Sequence, residues 1–310
     1  MKIKVLGSAA GGGFPQWNCG CSNCDRARRG LSDFRPRTQA QVAVSGSPGS
    51  WILLNASPDL RQQLLRDPDF APVANSRATP VSTIVLTSAD VDSVVGLFHL
   101  REFQPLRVLA MPSVLRILTE ENSLFRCLER SSPPVRWEPL AFDRKISVGG
   151  LACKAIPLGG EYPDYVSATL RKTLAPEEAV VGLEFSQNSE THFLFAPSIS
   201  GQTDAWKQPS IGSDLSLLDG TFWTDKELID VRGSGKTARE IGHLPLSGAG
   251  GLLEQLPPAD RRIPILNELR RVLIHINNTN PVLDESSDAH RAVRDAGLEV
   301  AYDGMEIDLQ

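Results

Sequence analysis

Histidine is scarce in this 310-residue chain: there are five, at His99, His192, His243, His275 and His290. A site built from several imidazoles therefore has few candidates. Cysteine is equally sparse, with five residues, three of them clustered and Cys127 and Cys153 standing alone. An odd, clustered set excludes a disulfide framework and fits reduced thiolates kept for a metal. No apolar run approaches the roughly 20 residues of a membrane span, and the first residues lack a basic segment followed by an apolar one. We therefore expect a cytoplasmic protein with no membrane partner. A net charge of −5 and a pI near 5.6, without a basic stretch, exclude a general nucleic-acid binder, which needs cations to neutralise phosphates. Neither G-x-G-x-x-G nor G-K-[ST] occurs at the glycine-rich N-terminal stretch, so a nucleotide loop is excluded there too.

What is present concentrates between Met1 and Cys24. Lys2 to Leu6 alternate polar and apolar side chains as a half-buried strand does, and the run breaks at Gly7 and the triple glycine Gly11-Gly12-Gly13. Serial glycines permit positive φ and close backbone approach, which suits a loop beside a ligand or a crowded metal centre. Cys19, Cys21 and Cys24 follow as C-x-C-x-x-C. Three soft thiolates on one short turn select zinc among the common ions.

Farther along, Asp25 to Leu31 reads as a helical turn, and Thr38 to Ser45 pairs with Trp51 to Asn55 across Gly46 to Ser50 as a hairpin. Ser57 and Pro58 read as the cap and first residue of a helix. Val81 to Leu86 is a buried strand, and a helical pattern starts at Val94. Short strands and helices alternate through Arg107–Ala110, Pro112–Leu128 and a hairpin over Ile146–Ile156. Glu161 to Glu178 has turn residues without periodicity and reads as a long loop or lid. Val180–Phe185 with Thr191–Phe195, Asp214–Asp219 and Arg271–His275 read as strands, and Ile263 to Glu268 as a helix. One early half of hairpins followed by alternating strands and helices predicts an α/β fold with two sheets between helices, and the length allows one large domain or two small ones.

Four buried strands end in polar residues: Asp90 and Asp92, Ser198, Asp219, and His275. Loops leaving strand ends build the site of layered α/β folds, so these clusters are the candidates for one cleft. Each has a plainer reading beside it. Asp92 reads equally as a helix cap, Asp219 as a turn residue, and His275 and His243 as satisfied buried imidazoles. His99 reads as packing, and His192 and His290 as surface residues. Together the carboxylates and His275 and His243 suit either a divalent metal or acid–base work, and spacing does not choose.

The blocks KVLGSAAGGGFPQWNC (Lys4 to Cys19), LLNASPDLRQQ (Leu53 to Gln63), DGT (Asp219 to Thr221), GHLPLS (Gly242 to Ser247), HINNTNP (His275 to Pro281) and DGM (Asp303 to Met305) closely resemble the pyrroloquinoline quinone biosynthesis protein B family, within the metallo-β-lactamase fold. The resemblance spans almost the whole chain and implies a single domain over 1–310. It implies an αββα sandwich of two mixed β-sheets flanked by helices, and a role in making the redox cofactor. It further implies hydroxylation of the tyrosine of a Glu-Tyr-type peptide with iron (Fe2+) and dioxygen; the other family reading is binding or export of the cofactor or of a quinone intermediate. By the same resemblance Cys19, Cys21 and Cys24 hold a structural Zn2+, with Asn278 at the position where related folds place a histidine as fourth ligand. His275 matches the last metal-ligand histidine and His243 the acid or base. Asp92 keeps its place as an active-site ligand, Asp90 stands at a second histidine position, and Asp219 joins His243 and Asp92 as catalytic. One departure matters: Ser93 replaces the histidine that follows the aspartate, and serine is a far weaker ligand. The expected partner is a small peptide or quinone intermediate, with a homodimer left open.

Overall fold

The computed structural model describes residues 1–102, 105–129, 134–188, 190–256 and 269–309, so the expected helix at Ile263 to Glu268 lies outside the described residues. Fourteen strands are present among them: β1 (Lys2–Gly7), β2 (Gln41–Ser47), β3 (Ser50–Leu54), β4 (Val81–Val85), β5 (Arg107–Ala110), β6 (Arg136–Pro139), β7 (Ile146–Val148), β8 (Leu151–Pro157), β9 (Val181–Gln187), β10 (Thr191–Ala196), β11 (Leu215–Asp219), β12 (Arg270–Ile274), β13 (Glu299–Val300) and β14 (Met305–Asp308). They form two seven-stranded sheets, ordered β14-β1-β2-β3-β4-β5-β6 and β13-β12-β11-β10-β9-β8-β7. Both sheets are mixed. In the first, β14 to β3 pair antiparallel and β3 to β6 parallel; in the second, β7 to β10 pair antiparallel and β10 to β13 parallel.

The burial follows from the sequence pattern. Val42, Ala43 and Val44 on β2 and Ile52, Leu53 and Leu54 on β3 are buried on both faces, as strands between a second sheet and covering helices must be. One contiguous apolar core takes in inward residues of both sheets, and a small satellite core of Ala9, Phe14, Cys24, Phe34, Ile276 and Leu283 sits beside it. The parallel halves aim several strand ends at one region. Residues 86–93 leave β4, 197–198 leave β10, 220–221 leave β11 and 275–280 leave β12. This is how a layered fold gathers polar residues distant in sequence. Among the described residues no helix is long and apolar enough to cross a membrane.

Local expectations need four corrections. The helix after β3 is Leu60–Arg66 with Asp59, not Ser57, at its cap. Ser57 instead donates from Oγ to Gln63 Oε1 at 2.8 Å, and the Asp59 carboxylate accepts from the backbone N–H of Gln39 at 2.9 Å. The helix expected from Val94 begins at Val91, so Asp92 lies in its first turn and does not cap it. His99 is exposed, not packed. The segment Glu161 to Glu178 is partly ordered into a helix at Ala168–Arg171 and a 3-10 turn at Pro176–Glu178.

Candidate active site and cysteine cluster

The strand ends enclose a cleft of about 720 Å³, within the size range of small-molecule sites. Asp90, Asp92, Ser93, Ser198, His243 and His275 all line it. Gly11 and Gly12 form one wall; a Cβ built on Gly11 would stand 3.2 Å from Asp92 Oδ2, so the glycine lets the backbone pass against the carboxylate. The opposite wall is the Glu161–Tyr165 stretch. Tyr165 donates its hydroxyl to the Ala89 carbonyl, and the Arg171 guanidinium donates to the carbonyls of Tyr162 and Pro163 at 3.0 and 2.8 Å. Those bonds hold the aromatic side of the cleft over the aspartates.

His275 is the centre of the polar floor. It follows β12 with φ of 60°, a left-handed conformation that costs a β-carbon residue on the order of 1 kcal/mol and recurs where function fixes a side chain. Thr221 Oγ1 donates to Asp219 Oδ1 at 2.6 Å and lies 2.9 Å from His275 Nδ1. With the hydroxyl proton committed to Asp219, Nδ1–H donates to Thr221, and Nε2 faces Asp92 Oδ2 at 3.1 Å. Burial opposes charge on both partners, but their hydrogen bond and mutual attraction outweigh it. His275 is held above its usual pKa and Asp92 below. Asp90 is pushed up to about 6 by burial and by the charge of Asp92, against the hydrogen bond from Ser88 Oγ at 2.8 Å.

Asp219 is fully buried and saturated. Its Oδ1 accepts from Thr221 N–H at 2.9 Å as well as Oγ1, and its Oδ2 accepts from Ile199 N–H at 2.8 Å and faces His243 Nδ1 at 2.8 Å. Burial pushes its carboxyl up, yet the charge and hydrogen bond of His243 prevail and hold it low. His243 stacks on His275 at 5.4 Å between centroids, with its own Nε2 free of protein partners among the described residues.

The donors can be tested against a metal. Cys19, Cys21 and Cys24 place their sulfurs within 4.8 Å of one another, which suits three corners of a tetrahedron with Zn–S near 2.3 Å. Asn278 closes the cluster: its side-chain amide lies 3.1, 3.7 and 3.4 Å from the three sulfurs in that order. In the cleft, ligand atoms of Asp219, His243 and His275 also fall within 4.8 Å, but the saturated Asp219 has no lone pair directed at an ion. Asp92 Oδ2 and His275 Nε2 fit better. Ligands about 2.1 Å from one ion stand about 3 Å apart in adjacent positions, as these two do. Asp90 is turned toward Ser88, and Ser93, buried with its Oγ 3.4 Å from Ser88 Oγ, brings no imidazole.

Sequence reasoning missed three contributors. Thr221 orients both Asp219 and His275, and the D-G-T block was its only signal. Asn55, at φ 67°, accepts from Thr87 N–H and Oγ1 and shapes the floor. Glu227 is buried behind Asn277, where Thr279 Oγ1 and Trp223 N–H donate to it at 2.5 and 2.6 Å; a glutamate opening the six-residue helix Glu227–Arg232 gives no sign of this.

Comparison with known proteins agrees with the fold. Residues 50–276 match the family model of the β-lactamase superfamily domain. Coenzyme PQQ synthesis protein B of Azoarcus sp. is 42% identical and that of Azotobacter vinelandii 40% identical, with 100% of each chain covered in both cases. The crystal structure of Zn(2+)-bound PqqB from Methylobacterium extorquens superposes with a TM-score of 0.89 at 36% identity, covering 100% of both chains. A diphosphatase of the PhnP family, at 18% identity and TM-score 0.65 over 99% of this chain and 96% of its own, shares the fold. The chain therefore belongs to the coenzyme PQQ synthesis protein B family, on a metallo-β-lactamase fold of two mixed sheets flanked by helices.

Proposed function

We propose that the cleft takes a small tyrosine-containing peptide of the Glu-Tyr type and that the tyrosine ring is hydroxylated there, on the way to the quinone cofactor named by its relatives. The observation that carries this is the adjacency of Asp92 Oδ2 and His275 Nε2 at 3.1 Å on the cleft floor. Those residues would hold iron, with Asp90 as a third donor on releasing Ser88. Iron held there would activate dioxygen, with one oxygen atom entering the ring and the other leaving as water at the expense of two electrons and two protons, the electrons from an external reductant. The chain does the rest. Phe222, Tyr162 and Tyr165 line the cleft and offer faces and edges for an aromatic ring. Lys236 and Arg239 at the rim attract the carboxylates of a glutamyl residue. His243, oriented by Asp219, takes or returns a proton at Nε2. At the cysteine cluster, structural zinc would hold the loop that carries His275. The zinc-bound relative supports a metal in this family, and the working partner is the peptide.

A second reading has its own observation. Ser93 leaves the cleft one imidazole short, which favours a protein that binds the cofactor or a quinone intermediate without turning it over. Ser93→His separates the two. Metal uptake and activity that appear only in the variant would support the binder; activity already present in the wild type supports the enzyme. Direct assay of iron-loaded protein with a Glu-Tyr peptide tests the first reading.

A further inference from the structure

A second cavity, of about 450 Å³, lies between the β14 edge of the first sheet and the helix Asp288–Asp295, and it shares no lining residue with the cleft. Its walls carry Arg35, Arg37, His290 and Arg294, with Tyr302 between them. The unusual member is Arg37. Only 5% of it is exposed, and its NH1 donates to Ser8 Oγ at 3.1 Å and to the Ala301 carbonyl. Its Nε is buried without a hydrogen-bond partner. Among the described residues no carboxylate lies within 4.0 Å of its guanidinium. Asp303, the nearest acid by charge effect, spends both oxygens on Ser8 and Thr38. Burial consequently pulls Arg37 down to about 10.

A buried cation without a counter-charge is costly, and proteins keep such groups paired. The neighbours supply that charge only indirectly, Asp303 through the Ser8 hydroxyl and Glu285 without ion-pair contact to Arg37. Glu285 is taken by Arg35 at 2.9 Å and Glu299 by Arg270 at 2.6 Å. Arg294, one helical turn after His290 and so on the same face, has no ion-pair partner among the described residues. His290 commits Nδ1 to the Val282 carbonyl at 2.9 Å, which leaves Nε2 unpaired.

We propose that this cavity is a binding site for a small multivalent oxyanion, a di- or tricarboxylate or a phosphate, held by Arg37 and Arg294 and framed by Arg35 stacked over Tyr302. Guanidinium forks match carboxylate and phosphate oxygens pairwise, and the volume admits an anion of citrate size.

Isothermal titration calorimetry on the full chain tests this, with inorganic phosphate in one arm and citrate in the other. Saturable binding of either anion, weakened about tenfold or more by Arg294→Ala, supports the site and says which chemistry it prefers. Arg35→Ala, at an exposed position, serves as a second variant, and thermal unfolding of each confirms that it folds. Lys236→Ala places the control in the cleft. The proposal is overturned if neither anion binds below about 10 mM, or if Lys236→Ala abolishes binding while Arg294→Ala leaves it intact.

Discussion

His243 Nδ1 lies 2.8 Å from Oδ2 of the fully buried Asp219, and both partners reach this contact from segments 24 residues apart. A carboxylate with no water contact holds the imidazole in one tautomer and keeps Nε2 available, the arrangement used by general acids and bases. His243→Asn, whose amide can still donate to the buried Asp219 carboxylate, should lower turnover about 100-fold or more while shifting the unfolding temperature less than loss of that donor would. Asp219→Asn should lower both, since its carboxylate also accepts from Ile199 and Thr221 N–H. Steady-state kinetics beside thermal unfolding separates the two patterns.

Glu227 sets a pH signature in stability. Burial raises its carboxyl from 4.5 to about 7, in spite of hydrogen bonds from Thr279 and Trp223. Between those values the folded chain holds a proton that the unfolded chain has released, so this group's contribution is full below about 4.5 and is lost as pH rises to about 7. The loss is on the order of 3 kcal/mol. Urea unfolding of Glu227→Gln across that window should show a flatter profile than the wild type, with the variant gaining relative stability toward neutral pH.

Lys4 is the buried hub of an acidic cluster. Its ammonium lies 2.8 Å from Asp67, 2.8 Å from Asp69 and 3.0 Å from Glu306, with its side chain only 6% exposed. Burial opposes its charge, but the three carboxylates hold its pKa above the usual range. Lys4→Met leaves them facing each other, but Asp69 and Glu306 are 46% and 59% exposed and rehydrate, so equilibrium unfolding should report a loss of about 1 kcal/mol.

The cysteine cluster should bind zinc at about one equivalent per chain. Asn278 links the cluster to the loop of His275, and Asn23 Nδ2 donates to the Asn278 and Asn280 carbonyls at 3.2 and 3.0 Å. Cys24→Ser should therefore release zinc and lower the unfolding temperature together, read by metal analysis and calorimetry.

Legibility in the sequence depended on distance along the chain. The strand at Lys2 to Leu6 and the β2–β3 hairpin were readable because alternation and turn residues are local signals. Cys19, Cys21 and Cys24 were readable for the same reason, since six residues contain the whole motif. The pairing of Asp219 with His243, or of Asp92 with His275, has no local trace, because Asp219 ends β11, His243 follows a 3-10 turn, Asp92 sits in the helix after β4 and His275 leaves β12. Glu227 was hidden for another reason: its burial comes from the 277–279 loop packed against it, not from its own helix. At Ser57 a local rule misled, because Gln63 and Gln41 recruit that residue into a buried polar network instead.

If Asp92 and His275 support oxidation of a tyrosine ring, mass spectrometry of a Glu-Tyr peptide incubated with iron-loaded protein, reductant and isotopically labelled dioxygen reads it out. Label should appear in the tyrosine ring with the wild type and not with Asp92→Ala. Peptide recovered unlabelled from wild-type protein shown to contain iron would contradict it, and would leave the cleft as a binding site.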